Sequence, residues 1–399
     1  LIENFLVTSG PEQLTRQHTR PPTGAWQPGD ALGGRNFHSV VAGRRFQLEG
    51  GNSLHQLDLA YETWGTLNES ASNAVLVCHA LTGDSHATGR AELGHPVAGW
   101  WQALIGPGLA VNTDQLFVVC ANVLGGCQGS TGPASIDPDT KAPYGSKFPV
   151  VTIRDMVRTQ ASLADVLGIS KWRCILGGSM GGMQALEWAV MYPDRVGSMV
   201  LASSTTEASA QQIAWSHVGR SAIEADPEFY GGDYYESGAG HGPHRGLAVA
   251  RMAAQVTYRT EQVFSQRFGR RSELPVSFSL DHRFDVESYL EYQGEKLVDR
   301  FDANSYLRLN RAMDLHDVGR GRSGVRAALA RVEAPALVAS VRSDTLYPPE
   351  QQRYLHQGLL DAGNESRWLD INSPHGHDGF LIETALLSSP IAEFIEEHA

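Results

Sequence analysis

The chain has 399 residues, 42% apolar and 19% charged, with 44 acidic against 32 basic side chains and a formal net charge of -12. That balance suits one large globular domain or a core with an insertion. It excludes a basic nucleic-acid-binding face, and any anionic ligand has to be met by specific local cations.

No apolar run approaches the ~20 residues that a membrane-spanning helix needs. The first residues, LIENFLVTSGPEQLTRQHTR, start apolar. They are too short for the hydrophobic region of a secretory signal and lack a preceding basic patch, so the expectation is a cytoplasmic enzyme. Residues 20–34, RPPTGAWQPGDALGG, carry Pro and Gly without core periodicity and read as a linker or arm.

Beyond the arm, LDLAYETW (57–64) reads as an early strand. NAVLVCHA (73–80) and QLFVVCAN (115–122) read as fully buried strands, β-branched and not alternating. Residues 151–169 place apolar side chains at helical spacing, with Asp155 near the start and Gly168 at the end. RCILGG (173–178) is the next strand, and the helix after it stops near Tyr192-Pro193. VGSMVLASS (196–204) is a further strand. Such alternation indicates a parallel sheet with helices on both faces.

The alternation breaks between about Ala208 and Leu329, where RGLAVARMAAQVTY and VESYLEYQGEKLVDRF are helical and no buried strand stands out. It resumes with APALVASVRSD (334–344), the helix PEQQRYLHQGLL, the strand SRWLDI (366–371) and a last helix from about Phe380. The expected organisation is an N-terminal arm over 1–35, an α/β core over 36–207 and 330–399, and a helical insertion over 208–329. Insertions of this kind commonly form lids.

The chemistry centres on Gly177-Gly178-Ser179-Met180-Gly181, a G-x-S-x-G between a strand and a helix. A turn of that kind strains the serine backbone and needs neighbours without clashing side chains. It exposes the Ser179 Oγ above the sheet and aims the Met180 N–H, at a helix N-terminus, where an oxyanion would form. A nucleophilic serine needs a base, and the base an orienting acid. Asp344 closes a strand at its carboxyl end and is the favoured acid, with Asp370, inside the next strand, as the rival. In SPHGHDGF, His377 is favoured over His375 as the base because it stands immediately before a helix. The loop HALTGDSH makes the Leu81 N–H the second oxyanion donor, and His79 there reads as a satisfied structural histidine.

Of the four cysteines, Cys78, Cys120 and Cys174 lie in strand-like runs and read as buried thiols; Cys127, in GGCQGSTG, is the one candidate for reactivity. No metal site is expected: His375 and His377 lack a supporting Cys or carboxylate cluster, and His241 and His244 sit in a Gly/Pro loop.

CHALTGDSHATG, WWQALIGPG, ANVLGGCQGSTGP, GGSMGGMQALEWA, SDTLYPP and GHDGFLIET together resemble, in order, segments of the homoserine O-acetyltransferases of the α/β-hydrolase superfamily. SYLEYQGEKLVDRFDANSYLRL and HDVGRGR do so within the insertion. The resemblance runs from about residue 40 to the end. It implies an α/β-hydrolase fold with a helical lid, and transfer of an acetyl group from acetyl-CoA, a co-substrate rather than a cofactor, to L-homoserine on the way to methionine. Ser179 would carry the acetyl group, with His377 as base and Asp344 orienting it. The resemblance further places the substrate-carboxylate arginine at Arg251, the amine-binding acid at Asp378, and a homodimer through the insertion. A succinyl donor, serine as acceptor, and a serine ester hydrolase remain alternatives.

Overall fold

The computed structural model describes residues 19–40, 45–272 and 275–398. Its main sheet is built from β1 (Asn36–Ser39), β2 (Asp58–Trp64), β3 (Ala74–Cys78), β4 (Phe117–Ala121), β5 (Cys174–Gly178), β6 (Met199–Ala202), β7 (Ala336–Val341) and β8 (Ser366–Ile371). Their spatial order is β1-β2-β4-β3-β5-β6-β7-β8. The first two strands run antiparallel to their neighbours and all later pairs are parallel. Every residue of β3, β5, β6 and β7 is buried, as their unbroken apolar runs require of strands covered on both faces.

Helix α1 (Ile153–Val166) begins at a reciprocal cap, in which Thr152 Oγ1 accepts from the Asp155 N–H and the Asp155 carboxylate accepts from the Thr152 N–H. Helix α2 (Met180–Met191) follows β5 directly. Between β6 and β7 the described residues contain α3 (Ala210–Glu224), α4 (His244–Tyr258), α5 (Glu261–Arg267), α6 (Asp285–Val298), α7 (Ala303–Asp314) and α8 (Val325–Leu329), and no strand of the main sheet. Helix α4 packs between α3 and α6. After α9 (Pro349–Asp361) and β8, the last helical stretch is broken at Glu383 into α10 (Gly379–Ile382) and α11 (Thr384–Glu397).

The described part of the arm is tied down rather than free. Arg20 bridges Glu295 (2.7 Å) and Asp299 (2.8 Å), the Gly24 N–H donates to the Phe301 carbonyl, and the Trp26 N–H to that of Cys127. Thr23 Oγ1 donates to Asp302, a fully buried carboxylate that also accepts from the Tyr234 and Tyr235 hydroxyls and the Ser305 N–H. Burial of that charge is tolerated because its lone pairs are filled.

A second buried carboxylate joins the core to the insertion. Glu187 on α2 is 1% exposed and meets Arg154 (3.0 Å) on α1 and Arg322 (2.8 Å). Arg154 also donates to the carbonyls of Asp317 and Arg320, so the HDVGRGR segment is stitched to the back of the nucleophile helix. Removing Glu187 would leave Arg322, among the described residues, without its carboxylate, although Arg154 keeps Glu49 (2.9 Å). Replacing Glu187 with Ala is therefore expected to cost about 3–5 kcal/mol, read as a lowered urea midpoint at unchanged slope.

Candidate active site

The four glycines around Ser179 are explained by close approach. A Cβ on Gly177 would lie 2.2 Å from the Gly181 carbonyl carbon, and one on Gly181 would lie 2.1 Å from the Cys78 carbonyl oxygen. On Gly178 it would strike the Phe380 ring at 2.3 Å, and on Gly182 the Ser204 Cβ at 2.5 Å. The left-handed backbone falls on Ser179 itself, with φ 55° and ψ -123°. Its N–H donates to the Ala202 carbonyl (2.9 Å) and its carbonyl accepts from Ser204 Oγ (2.9 Å), so the end of the neighbouring strand β6 holds the strained residue.

From that elbow Ser179 Oγ stands 2.9 Å from His377 Nε2, and His377 Nδ1 stands 2.7 Å from Asp344 Oδ2. All three residues are at least 95% buried. Asp344 follows the end of β7, and its other oxygen accepts the N–H groups of Leu346 (2.9 Å) and Tyr347 (2.8 Å). The turn holding His377 is fixed to that of Asp344, because Ser343 Oγ accepts from the Gly376 N–H and donates to the Ser373 carbonyl. A carboxylate so held orients the imidazole for proton transfer with Ser179. The rivals lie elsewhere: Asp370 is bound to Arg342 (2.8 Å), and His375 turns toward Glu383 (3.9 Å).

Met180 and Leu81 are both buried, and among the described residues neither backbone N–H has a hydrogen-bond partner. Such paired donors suit a developing oxyanion, each worth about 3–4 kcal/mol when well aimed. His79 is fully buried and fully used: Nε2 accepts from the Val123 N–H (3.0 Å) and Nδ1 meets the Ala80 carbonyl (2.8 Å). Burial lowers its pKa, leaving a neutral structural ring.

Arg251 on α4 stacks over the Tyr258 ring at 5.7 Å; with the Gln255 amide oriented to suit its neighbours, that side-chain oxygen accepts from Arg251 Nη2 (2.8 Å). Among the described residues no carboxylate pairs with Arg251, which leaves it open to an anionic group. It lines a cavity of about 210 Å³ together with Arg35, Arg300, Asp84 and Trp100. Asp378 makes no helix-capping bond and lies 3.0 Å from Arg259 Nε, so its carboxylate already has a cation at hand. The Tyr258 phenol feels both groups: burial pushes its pKa up, Arg251 opposes the rise and Asp378 adds to it.

Sequence reading missed the tyrosines. Tyr347 touches two members of the triad: its N–H binds Asp344 and its ring stacks on His377 (4.7 Å, 20°), while burial pushes its phenol pKa up and Ser179 opposes the rise. Tyr258 lies 5.7 Å from His377 and Phe380 5.4 Å. The only available signal was Tyr347's place three residues after Asp344 in SDTLYPP. Cys127 is buried, and burial raises its thiol pKa, as for the other three cysteines; none is poised to react. Tyr347→Phe keeps the stacking and loses the hydroxyl. It is expected to lower kcat about fivefold, roughly 1 kcal/mol for one hydrogen bond, with the thermal midpoint little changed.

Comparison with known proteins agrees with this architecture. Residues 73–381 match the α/β hydrolase fold family. The homoserine O-acetyltransferase of Thermobifida fusca (strain YX) is 52% identical over 377 residues, covering 94% of this chain and 98% of that protein. Residues 36–399 alone could not supply that coverage, so the match reaches into the arm, which the motif resemblance left unplaced. The crystal structure of homoserine O-acetyltransferase from Bacillus anthracis is 29% identical, covers 90% of this chain and 97% of that one, and superposes with a TM-score of 0.84. The crystal structure of esterase E22 is 30% identical, with coverage of 90% and 99% and a TM-score of 0.83. With half of its residues shared across nearly the whole of the Thermobifida protein, the chain belongs to the homoserine O-acetyltransferase family of the α/β-hydrolase superfamily.

Proposed function

We propose that the chain transfers the acetyl group of acetyl-CoA to the hydroxyl of L-homoserine by a ping-pong reaction through an acetyl-Ser179 intermediate. The observation that carries this reading is the unbroken Ser179–His377–Asp344 hydrogen-bond chain opening beneath the helical insertion. His377 Nε2 takes the Ser179 proton as Oγ attacks the thioester carbonyl, and the Leu81 and Met180 N–H groups receive the oxyanion. Collapse expels CoA as its thiol, with the proton supplied by His377. The homoserine hydroxyl then gives its proton to His377 and attacks the acetyl-Ser179 ester. His377 returns that proton to Ser179 Oγ as O-acetylhomoserine leaves.

The zwitterionic acceptor needs one fixed cation and one fixed anion. Arg251 offers a planar two-pronged donor to the carboxylate, and Asp378, shared with Arg259, offers the partner for the ammonium. The acyl side favours acetyl over succinyl. The cavity beside the triad is lined by Leu81, Ala254, Tyr258, Tyr306, Leu346 and Tyr347 among others, with no Lys or Arg to pair a terminal carboxylate.

The division into arm (1–35), core (36–207 and 330–399) and lid (208–329) belongs to the same proposal. So does a cytoplasmic homodimer: among the described residues no helix is long and apolar enough to cross a membrane. Helices α3 and α4 each expose apolar side chains, Trp215 and Val218 on one, Val249 and Val256 on the other. Sedimentation at micromolar protein is expected to give twice the 43.3 kDa chain mass.

Ester hydrolysis is the second reading, favoured by the close superposition on esterase E22. Thiol release from acetyl-CoA separates the two. Release that requires homoserine and yields O-acetylhomoserine by mass establishes transfer; release indifferent to homoserine, with free acetate, makes the chain a hydrolase. Ser179→Ala is expected to abolish both, and retained transfer would rule out the acyl-serine route. Arg251→Ala should raise the homoserine KM at least tenfold while donor hydrolysis falls less, since a charge-assisted contact is worth about 1.5–3 kcal/mol. Equal losses would argue against the carboxylate clamp.

A further inference from the structure

A second buried polar knot lies on β2, three strands from the nucleophile strand, and the acyl-transfer steps do not use it. Glu62 on β2 is 3% exposed and accepts from Ser85 Oγ (2.8 Å) on one oxygen and from His86 Nδ1 (2.9 Å) on the other. His95 Nε2 stands 3.2 Å from the first oxygen. Burial alone would raise the Glu62 pKa; His86, His95 and Ser85 outweigh it and hold the carboxyl at about 2. The backbone of the arm presses on the knot: a Cβ on Gly34 would sit 2.8 Å from Glu62 Oε2, and one on Gly33 would sit 2.4 Å from the His95 ring.

Two histidines and a glutamate invite a metal reading, and the ring geometry rejects it. The imidazoles of His86 and His95 are stacked with centroids 3.9 Å apart and planes within 11°. A metal lies close to the plane of each ring that ligates it, and two parallel planes share no such point. Ser85 Oγ and His86 Nδ1 point instead at the Glu62 oxygens, and His95 Nε2 lies near one of them without a hydrogen bond.

What the knot holds is the loop after β3. That loop leaves the sheet at Cys78, passes over β4 and reaches β2, two strand spacings or ~10 Å away. Its first end is pinned by His79, whose carbonyl also accepts from Gln184 on the nucleophile helix. Its far end is pinned by Ser85 and His86 on Glu62. Between the pins lies Leu81, with Arg300 of the insertion donating to the Thr82 carbonyl and Trp100 Nε1 to that of Asp84 (3.0 Å).

We propose that Glu62 is a positioning residue for acyl transfer: through Ser85 and His86 it sets the height of the loop that presents the Leu81 N–H to the oxyanion. This rests on the acyl-serine reading above. Arg300 and Trp100 hold the stretch from Thr82 to Asp84, and the Glu62 anchor fixes the segment beyond it, so that the loop is preorganised along its whole length. A carboxylate suits the far anchor because both of its oxygens accept, whereas a carboxamide accepts on one atom and donates from the other.

The test is Glu62→Gln, which keeps the shape but offers one oxygen and an amine to donors that need two oxygens. The folded variant is expected to lose about tenfold or more in kcat, with the homoserine KM within twofold of the parent, as for a misplaced oxyanion donor. The affinity for methylboronic acid should fall by a similar factor, because its tetrahedral Ser179 adduct places an oxygen in the same hole. A role in stability alone would lower the thermal midpoint and leave both readouts of the folded enzyme intact. Ser85→Ala removes one anchor bond and spares the charge, and it decides the matter should the first variant not fold; a loss of threefold or more in both readouts is expected. Folded variants that keep kcat and boronate affinity within twofold would overturn the proposal. Transfer that survives Ser179→Ala would instead remove the reading on which it stands.

Discussion

Everything at the catalytic edge depends on how closely backbone segments meet around Ser179. The carbonyl of Cys78 at the end of β3 approaches Gly181 so nearly that no Cβ fits between them, and Gly177 and Gly181 meet each other at the same range. That contact brings the first turn of α2 down onto the sheet. The Met180 N–H then stands at the start of that helix beside Ser179, and the proposed oxyanion hole pairs it with the Leu81 N–H of the loop after β3. The strain concentrated in the Ser179 backbone is held by hydrogen bonds to Ala202 and Ser204 at the end of β6, a strand locked in the core.

The sheet supplies the triad and the insertion finishes its surroundings. The end of α4 lies directly on the histidine turn: Thr260 Oγ1 donates to the Pro374 carbonyl (2.6 Å), Arg259 pairs with Asp378, and Tyr258 faces the His377 ring. Gly376, at φ +63°, leaves space for the Tyr258 carbonyl that any Cβ would fill. Arg300 touches the loop on the opposite side of the site. A helical segment with this many polar ties to both moving parts of the chemistry affects the reaction through position and through exclusion of water.

This explains how one scaffold serves both acetyl transfer and ester hydrolysis among proteins that superpose closely. The acyl-serine step is common to both. The outcome depends on whether water or a bound alcohol reaches the ester first, and a hundredfold preference needs only about 2.7 kcal/mol. The proposed clamp of Arg251 and Asp378 on a zwitterionic acceptor is of the right kind to supply it.

The order of strands and helices could be read from the chain because periodicity and turn residues are local properties, and the run from LDLAYETW to SRWLDI falls where it was expected. The elbow was legible for the same reason: G-x-S-x-G between a strand and a helix has few other physical uses. The choices between His375 and His377, and between Asp344 and Asp370, depend on contacts between residues 33 and 198 positions apart, and the pairing of Asp378 with Arg259 and the stacking of Tyr347 on His377 are likewise contacts across distant positions. The sequence marks Glu62 only as an acid within a strand, and Ser85, His86 and His95 only as loop residues. Four residues from three segments become one buried knot only after the sheet order brings β2 within reach of the loop from β3. Local pattern thus determined the scaffold and the nucleophile, whereas the tertiary fold decided every partner, because a hydrogen bond depends on separation in space and only the packed sheet and insertion set that separation.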